Sequence, residues 1–339
     1  MEIPMIPSIL LAAPPTSDWI TLDFAALAQN FWSATFDGLT FGSIYALVAL
    51  GYTLVYGVLN LINFAHSEVF IMGCFGVWFT LSFLGFGPSN PNLAVGAIVI
   101  NLLLALIVGI LASALTAFIL ERVAYRPLRK RNAPRLVFLI TAIGASFTIQ
   151  YLIYVWRGAV PEQALTMFKV TPIFEVFGTY IYNDQLLIVT AAVIMMIITE
   201  RFISKSRTGR GIRAVAQDPD TATLMGVNKE KIIITTFVIG GVLAGAAALF
   251  YTMKIPSGVV YNGGFILGIK AFAAAVLGGI GNVRGALLGG LLLGLIGNYG
   301  QILLGNSQWT DVVAFLVLVL VLLLRPQGIL GTSLGRSKA

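Results

Sequence analysis

Long apolar runs dominate this chain, and most are long enough to cross a lipid bilayer. About 20 apolar residues span the hydrocarbon core as an α-helix, and the backbone of a spanning segment must satisfy its own polar groups. Hydrophobic residues make up 58% of the 339 positions and charged residues 10%, whereas soluble domains carry about 25% charged residues. The sequence therefore predicts an all-α polytopic membrane protein with about 8–10 transmembrane helices, at least one of them broken or re-entrant.

The basic residues lie in blocks beside the apolar runs, and this pattern orients the chain. The net charge is +7, but most Lys and Arg residues fall within 122–135 and 201–231. Such residues collect in cytoplasmic loops, so topology explains the charge and we expect lipid, not nucleic acid, as the neighbour. Alternation then gives about nine crossings, with the N-terminus outside and the C-terminus in the cytoplasm.

The domain organisation follows from the same pattern. We predict an extracytoplasmic N-terminal extension at 1–36, which contains several prolines and no basic residue. A single transmembrane domain follows at 37–330, with a cytoplasmic loop at 200–231. Residues 331–339 form a short cytoplasmic tail. Residues Glu121 to Arg135 include six basic residues and one acid. We therefore expect segment 122–135 to be a second cytoplasmic loop.

The loop at 200–231 contains signals for a short helix. Asp218 is suited to be the N-cap and Pro219 the first helical residue, and Gly226 provides a stop. Residues 221–225 have helical composition, so the loop is expected to present a rigid docking element. Gly209 to Ala214 fits the G-x-G-x-x-A pattern, but it follows no predicted strand, so we expect no dinucleotide site.

A polar cluster lies between the first two apolar runs, which cover about 38–62 and 69–86. Asn63, His66 and Glu68 lie at this junction. Polar side chains are costly in lipid, so we expect them to face a cavity, a water-filled path or each other. An ordinary turn between two spans is the alternative.

Glycine is frequent in the later apolar run at 265–304. Gly278 to Asn282 has the composition of a helix break, which membranes tolerate where backbone lines a cavity or is buried in protein. Gly281, Gly285 and Gly289 recur every four residues, as do Gly290 and Gly294, so dense helix packing without a ligand is the alternative. Gly38, Gly42 and Ala46 form a similar small face in the first run.

The sequence gives no reason to propose catalysis. It contains neither a P-loop nor a Gly-x-Ser-x-Gly elbow. The single cysteine, Cys74, has no partner for a disulfide or a metal set, and His66 with Glu68 lacks further ligands. We expect no catalytic residue, no metal site and no cofactor bound by this chain.

Two separated motifs resemble those of one transporter family. Asp220-Thr221-Ala222-x3-Gly226 resembles the Glu-Ala-Ala-x3-Gly signature with which permease subunits of ATP-binding-cassette importers engage their ATPases. GSIYALVALGYTLVYGVLNLINFAH, which ends at His66, is similar to the opening signature of the branched-chain amino acid permeases. The similarity covers about 37–330. Asp220 and Thr221 depart from the usual Glu and Ala, and Ser67 stands where the family usually has glycine.

The resemblance implies a multi-pass permease of the bacterial plasma membrane that moves leucine, isoleucine, valine or another neutral amino acid inward by alternating access. Its implied partners are two ATPase subunits, which would hold ATP and Mg, a second permease, identical or paralogous, and an extracytoplasmic solute-binding protein. Transport of urea or short amides is an alternative within the family. An ion-driven transporter or channel, with Glu68 and His66 as a proton site, is an alternative from another class.

The resemblance, together with the polar junction and the helix break, leads us to predict two sets of functional residues. The ATPase-coupling set in the cytoplasmic loop is Arg213, Asp218, Asp220, Ala222 and Gly226. The neighbouring arginines are suited to pair with acidic groups of the ATPase or with lipid phosphates. For the solute path we favour Asn63, His66, Glu68, Gly281 and Asn282.

Overall fold

The computed structural model describes residues 22–88, 94–255, 258–305, 309–325 and 327–331. Within these ranges the regular secondary structure is helical apart from one hairpin and an isolated bridge between Glu162 and Val259. The helices are α1 (Phe24–Gln29), α2 (Phe31–Leu59), α3 (His66–Phe83), α4 (Val95–Leu120), α5 (Arg126–Lys130), α6 (Arg135–Arg157), α7 (Asn183–Lys205), α8 (Arg207–Gln217), α9 (Pro219–Leu224), α10 (Lys229–Lys254), α11 (Gly263–Gly278), α12 (Val283–Leu303) and α13 (Trp309–Leu324). A π-helical stretch, Glu121–Tyr125, joins α4 to α5.

The spans confirm the all-α polytopic class. Seven helices among the described residues are long and apolar enough to cross a membrane, with α4, the π-helical stretch and α5 counted as one, and α11 and α13 are shorter apolar helices. The predicted N-terminal extension up to residue 21 and the tail beyond residue 331 lie outside the described residues. The boundary that we predicted after residue 36 falls inside α2, because this helix begins at Phe31.

The ends of the spans separate onto two sides of the molecule. One, the hairpin side, carries strands β1 (Pro172–Val176) and β2 (Thr179–Tyr182). There Lys254 at the end of α10 contacts Asp184 at the start of α7 (3.1 Å). The other, the α9 side, carries α8 and α9, and there Arg284 at the start of α12 contacts Glu200 near the end of α7 (2.6 Å). Helix α7 therefore runs from the hairpin side to the α9 side and α10 runs back, as the predicted alternation requires.

Helix α2 occupies the centre and packs closely on α12. A Cβ on Gly42 would lie 2.9 Å from the Leu291 Cα, and one on Gly290 would lie 2.5 Å from the backbone nitrogen of Ala46. Only residues without a side chain allow this approach, so the predicted small faces are confirmed as a glycine seam. Another face of α12 meets α11, where Gly285 and Gly289 lie against the backbone of Gly278 and Ala274.

The chain re-enters the protein between α2 and α3. Asn60 caps the C-terminus of α2 and has a left-handed φ of 52°. His66, the first residue of α3, packs beside Gly51 and Gly240. Gly51 lies eight residues before the end of α2, so the His66 ring contacts α2 about 12 Å from that end at 1.5 Å per residue. The break that we predicted lies elsewhere, at Gly278 to Asn282; in the stretch between α2 and α3, Asn60 is exposed whereas Asn63 and Ala65 are buried.

The basic block at 122–135 is not a simple loop, which corrects our prediction. The helix continues through the π-helical stretch and α5 to Lys130. Arg129 contacts Glu121 (2.5 Å) and Glu230 at the start of α10 (3.0 Å). The contact with Glu230 joins this segment to a helix distant in sequence, which the charge composition alone does not indicate.

The hairpin is an element that the sequence interpretation missed. Strands β1 and β2 pair antiparallel through a turn at Phe177 and Gly178, both with positive φ. Phe177 stacks on Trp32 at a centroid distance of 4.4 Å, which fixes the hairpin to the start of α2.

Candidate coupling surface and solute path

Helix α8 folds back on the end of α7 and was not predicted. The Ser206 hydroxyl caps it by accepting from the Gly209 backbone nitrogen (2.8 Å). Gly209 lies directly on the carbonyls of Phe202 and Ile203, where a Cβ has no room. The Arg213 guanidinium donates to the Ile203 carbonyl. Arg213, which we assigned to coupling, thus connects α8 to a span.

Helix α9 confirms the predicted capped helix almost residue for residue. The Asp218 carboxylate accepts from the backbone nitrogens of Asp220 (3.0 Å) and Thr221 (3.1 Å), and Pro219 is the first helical residue. Gly226 has φ 85° just after the helix. The hydrogen bond from the Thr221 hydroxyl, followed by those from the backbone, lowers the pKa of Asp218. The capping carboxylate therefore stays ionised at neutral pH.

The end of α9 exposes two large apolar side chains, which sequence reasoning missed. Ala222 is buried and faces the protein, whereas Leu224 and Met225 are 87% and 81% exposed. Asp220 is also exposed, and its contact with Lys229 is 3.5 Å. An exposed ion pair of this kind contributes little to stability. The signal was available in the sequence, because Leu224 and Met225 directly precede the helix-stopping glycine in an otherwise polar loop.

A large cavity of ≈900 Å³ opens on the α9 side. Gly281 and Asn282 line it together with Arg213 and the Glu200–Arg284 pair.

The predicted break is a tight turn between α11 and α12, with φ 109° at Gly279 and 90° at Gly281. The Asn282 side chain caps α12 by accepting from the Arg284 nitrogen (3.1 Å) and donates to the Leu330 carbonyl (2.9 Å).

Three other predicted path residues are buried in separate contacts. Asn63 accepts from the Tyr125 hydroxyl (2.6 Å), and the His66 ring meets the Tyr52 ring edge-on at 4.7 Å. Glu68 accepts through one oxygen from Ser146 (3.1 Å) and Gln150 (2.8 Å) of α6. Glu68 is therefore a partner of α6, and its hydrogen bonds do not involve His66 as one of our readings supposed.

The structure brings only some of the predicted path residues together. Asn63 borders a small cavity between α2 and α11 that also contacts Ile280, next to Gly281. His66 and Glu68 are at most 2% exposed and do not line the large cavity with Gly281 and Asn282. Their part in a solute path stays a prediction.

Metal-binding geometry is also missing from the part of the chain described here. In it, no group of three or more His, Cys, Asp or Glu residues is placed to hold a metal ion. Cys74 is buried in the helix core.

Comparison with known proteins decides the family. The family model for the permease component of branched-chain amino acid transport systems matches residues 34–322. The chain belongs to this permease family. It is 42% identical to the high-affinity branched-chain amino acid transport system permease protein BraD of Pseudomonas aeruginosa over 299 residues, which cover 87% of this chain and 94% of that protein.

Other relatives extend the family match over nearly the same length. The chain is 40% identical to LivH of Escherichia coli K12, with 89% of this chain and 96% of that permease covered. Identity to a probable branched-chain amino acid permease LivH of Methanocaldococcus jannaschii is 26%, with 86% and 90% covered. No solved structure matches the chain. The family match supports a branched-chain amino acid permease; it supports neither the urea nor the ion-driven alternative.

Proposed function

We propose that this permease is the transmembrane subunit through which an ATP-binding-cassette importer moves branched-chain or other neutral amino acids into the cytoplasm. The family match over 34–322 carries this proposal. ATP and Mg belong to separate ATPase subunits, and the chain itself binds no cofactor and has no enzyme activity. Two ATPases, a second permease, identical or paralogous, and an extracytoplasmic binding protein complete the importer.

The distribution of charge supports an orientation for the chain. Basic residues are concentrated on the α9 side, in segments 122–135 and 201–231, whereas the hairpin side carries few. We therefore assign the α9 side to the cytoplasm, since Lys and Arg favour that side. In this orientation the N-terminus lies outside and the C-terminus inside.

The coupling mechanism follows from the stiffness of the α8–α9 unit. Leu224 and Met225 project from α9 and are suited to an apolar groove on an ATPase subunit, since burying apolar area stabilises such a contact. Movement of that groove would be transmitted through α8, because Gly209 and Arg213 hold α8 on the end of α7. The large cavity beside α8 gives the released amino acid an exit to the cytoplasm.

The test is uptake of radiolabelled leucine by the complete importer in proteoliposomes. Gly226→Leu should abolish uptake without loss of membrane insertion, because a left-handed conformation costs a side-chain-bearing residue about 1–2 kcal/mol. Gly226→Asn is the matched control, since asparagine tolerates this conformation. Asp220→Lys should also abolish uptake, although the exposed pair with Lys229 contributes little to folding.

Two results would contradict the proposal. One is unchanged uptake by both Gly226→Leu and Asp220→Lys, which would remove the coupling role of α9. The other is leucine uptake that valine does not reduce and urea does, which would contradict the assigned substrate class.

A further inference from the structure

A second cavity, of ≈210 Å³, lies on the extracytoplasmic side where α7 begins and α10 ends. Segment 164–170 covers it with apolar side chains, those of Leu165, Met167, Phe168 and Val170. Among its lining residues only Asp184 and Lys254 are charged. The cavity therefore combines an apolar wall with one acid and one base.

The acid in this cavity is incompletely paired. Asp184 is 4% exposed. Its Oδ2 accepts from the Lys254 Nζ at 3.1 Å, but its Oδ1 is buried without a hydrogen-bond partner among the described residues. A buried carboxylate oxygen without a donor is costly. A ligand that brings a donor into the cavity would remove this cost.

The surrounding charges also favour a cation. Lys254 contacts Asp37 of α2 at 3.4 Å in addition to Asp184. The Asp37 carboxylate accepts from Gln185 (2.9 Å). Two carboxylates thus share one ammonium group, so the cluster carries excess negative charge, and Asp184 is the carboxylate that lines the cavity. A second ammonium group, with three N–H donors, would suit its unpaired oxygen.

We infer that this cavity is an entry subsite for a primary ammonium ion that carries a short branched apolar chain. In the importer this ligand is the α-ammonium group and side chain of a branched-chain amino acid, so the inference rests on the proposed function. The ammonium group donates to Asp184 Oδ1, and the side chain packs on Leu165 and Phe168. The solute occupies this subsite before the spans move.

The experiment uses the full chain, purified in detergent with the subunits that remain bound to it and without binding protein. Its melting temperature is measured against increasing leucine, 3-methylbutylamine or 4-methylpentanoate. A ligand that binds only the folded state raises the melting temperature. Leucine and the amine should raise it, and the carboxylate, which has no ammonium group, should not.

Two variants locate the binding. Asp184→Asn should raise the concentration needed for the half-maximal shift by about 10-fold or more, because it removes a charge-assisted hydrogen bond. Ala164→Phe fills the cavity, keeps every charge and should abolish the shift. Glu175→Gln makes the same kind of change at an exposed position of β1 and should leave the shift unchanged.

The outcomes separate this inference from the proposed function. If the complete wild-type importer takes up leucine but neither leucine nor the amine raises its melting temperature, the subsite is wrong and the function stands. A shift that persists in Ala164→Phe also overturns the subsite, even if Asp184→Asn fails to fold. An Asp184→Asn protein that melts earlier but keeps the full ligand shift shows that the cluster only ties α2, α7 and α10 together. Absence of leucine uptake by the wild-type importer contradicts the function itself.

Discussion

Glu68 is a carboxylate in a helix core, and its environment indicates a structural role. One of its oxygens accepts from Ser67, Ser146 and Gln150, and these bonds fasten α6 to α3. The buried residues of α6 form a single narrow stripe, so this helix has few other contacts with the protein. The polar contact is therefore important for the position of α6, since polar groups join helices in lipid.

Two substitutions distinguish shape from charge at Glu68. Glu68→Ala should destabilise the protein by about 1–3 kcal/mol, because it leaves buried donors of Ser146 and Gln150 unpaired. Glu68→Gln keeps an acceptor oxygen and should retain most of the stability and the leucine uptake. Thermal melting in detergent measures the first effect and proteoliposome uptake the second. Loss of uptake in a stable Glu68→Gln protein would show that the charge itself is needed.

Sequence reasoning at the level of single residues succeeded where the cause is local. Asp218, Pro219 and Gly226 determine the start and end of α9 through their own backbone preferences, so the predicted helix is confirmed. His66 and Glu68 show the limit. Their polarity indicated that they avoid lipid, but their partners lie on helices far away in sequence.

At the scale of elements, α8 is the part of the proposed coupling unit that local helix propensity did not predict. Its sequence contains Gly209 and Gly211, and glycine disfavours helices by about 1 kcal/mol. Packing overrides this preference, because Gly209 allows α8 to lie on the backbone of α7. The same reason explains why the helical continuation of 121–130 and the hairpin were missed: contacts distant in sequence decide both.

The two glycines of α8 provide a matched pair of substitutions. A Cβ on Gly209 would collide with backbone carbonyls, whereas one on Gly211 would meet only the flexible end of Ile232 at 2.7 Å. Gly209→Ala should therefore displace α8 and reduce leucine uptake several-fold, although alanine favours helices. Gly211→Ala should be close to wild type. Equal uptake by the two variants would show that the contact between α7 and α8 does not transmit movement.

At the scale of the whole molecule, cysteine labelling can test the orientation in the membrane, because the single native cysteine is buried. Cys74 lies in the helix core, so the native protein should not react with a membrane-impermeant maleimide. Glu175→Cys should be labelled from the outside of intact cells, and Leu224→Cys only after the membrane is opened, because hairpin and α9 lie on opposite sides. Labelling of each cysteine is measured as a shift in apparent mass on a gel. Labelling of Leu224→Cys in intact cells would reverse the assigned orientation.

The spans and their alternation could be read from the sequence, because hydropathy reports which segments cross a membrane. Hydropathy does not report how deep inside the protein a segment packs. The His66 ring lies beside Gly51, well inside the end of α2, and this packing does not follow from the apolar pattern. For the same reason the sequence suggested the break at Gly278 to Asn282 but not its form as a tight reversal.

The glycine seam between α2 and α12 limits how this protein can change during evolution. Gly42 faces Gly290 and Leu291, and Gly294 faces Gly38 and Gly42, so most of the opposing positions already hold the smallest residue. A mutation that enlarges one side cannot be compensated by a smaller residue on the other. Second-site suppressors of such a mutation should therefore arise away from the seam, in helices that allow α2 and α12 to separate. Divergence within this permease family should proceed mainly on its lipid-facing helices, such as α4 and α6.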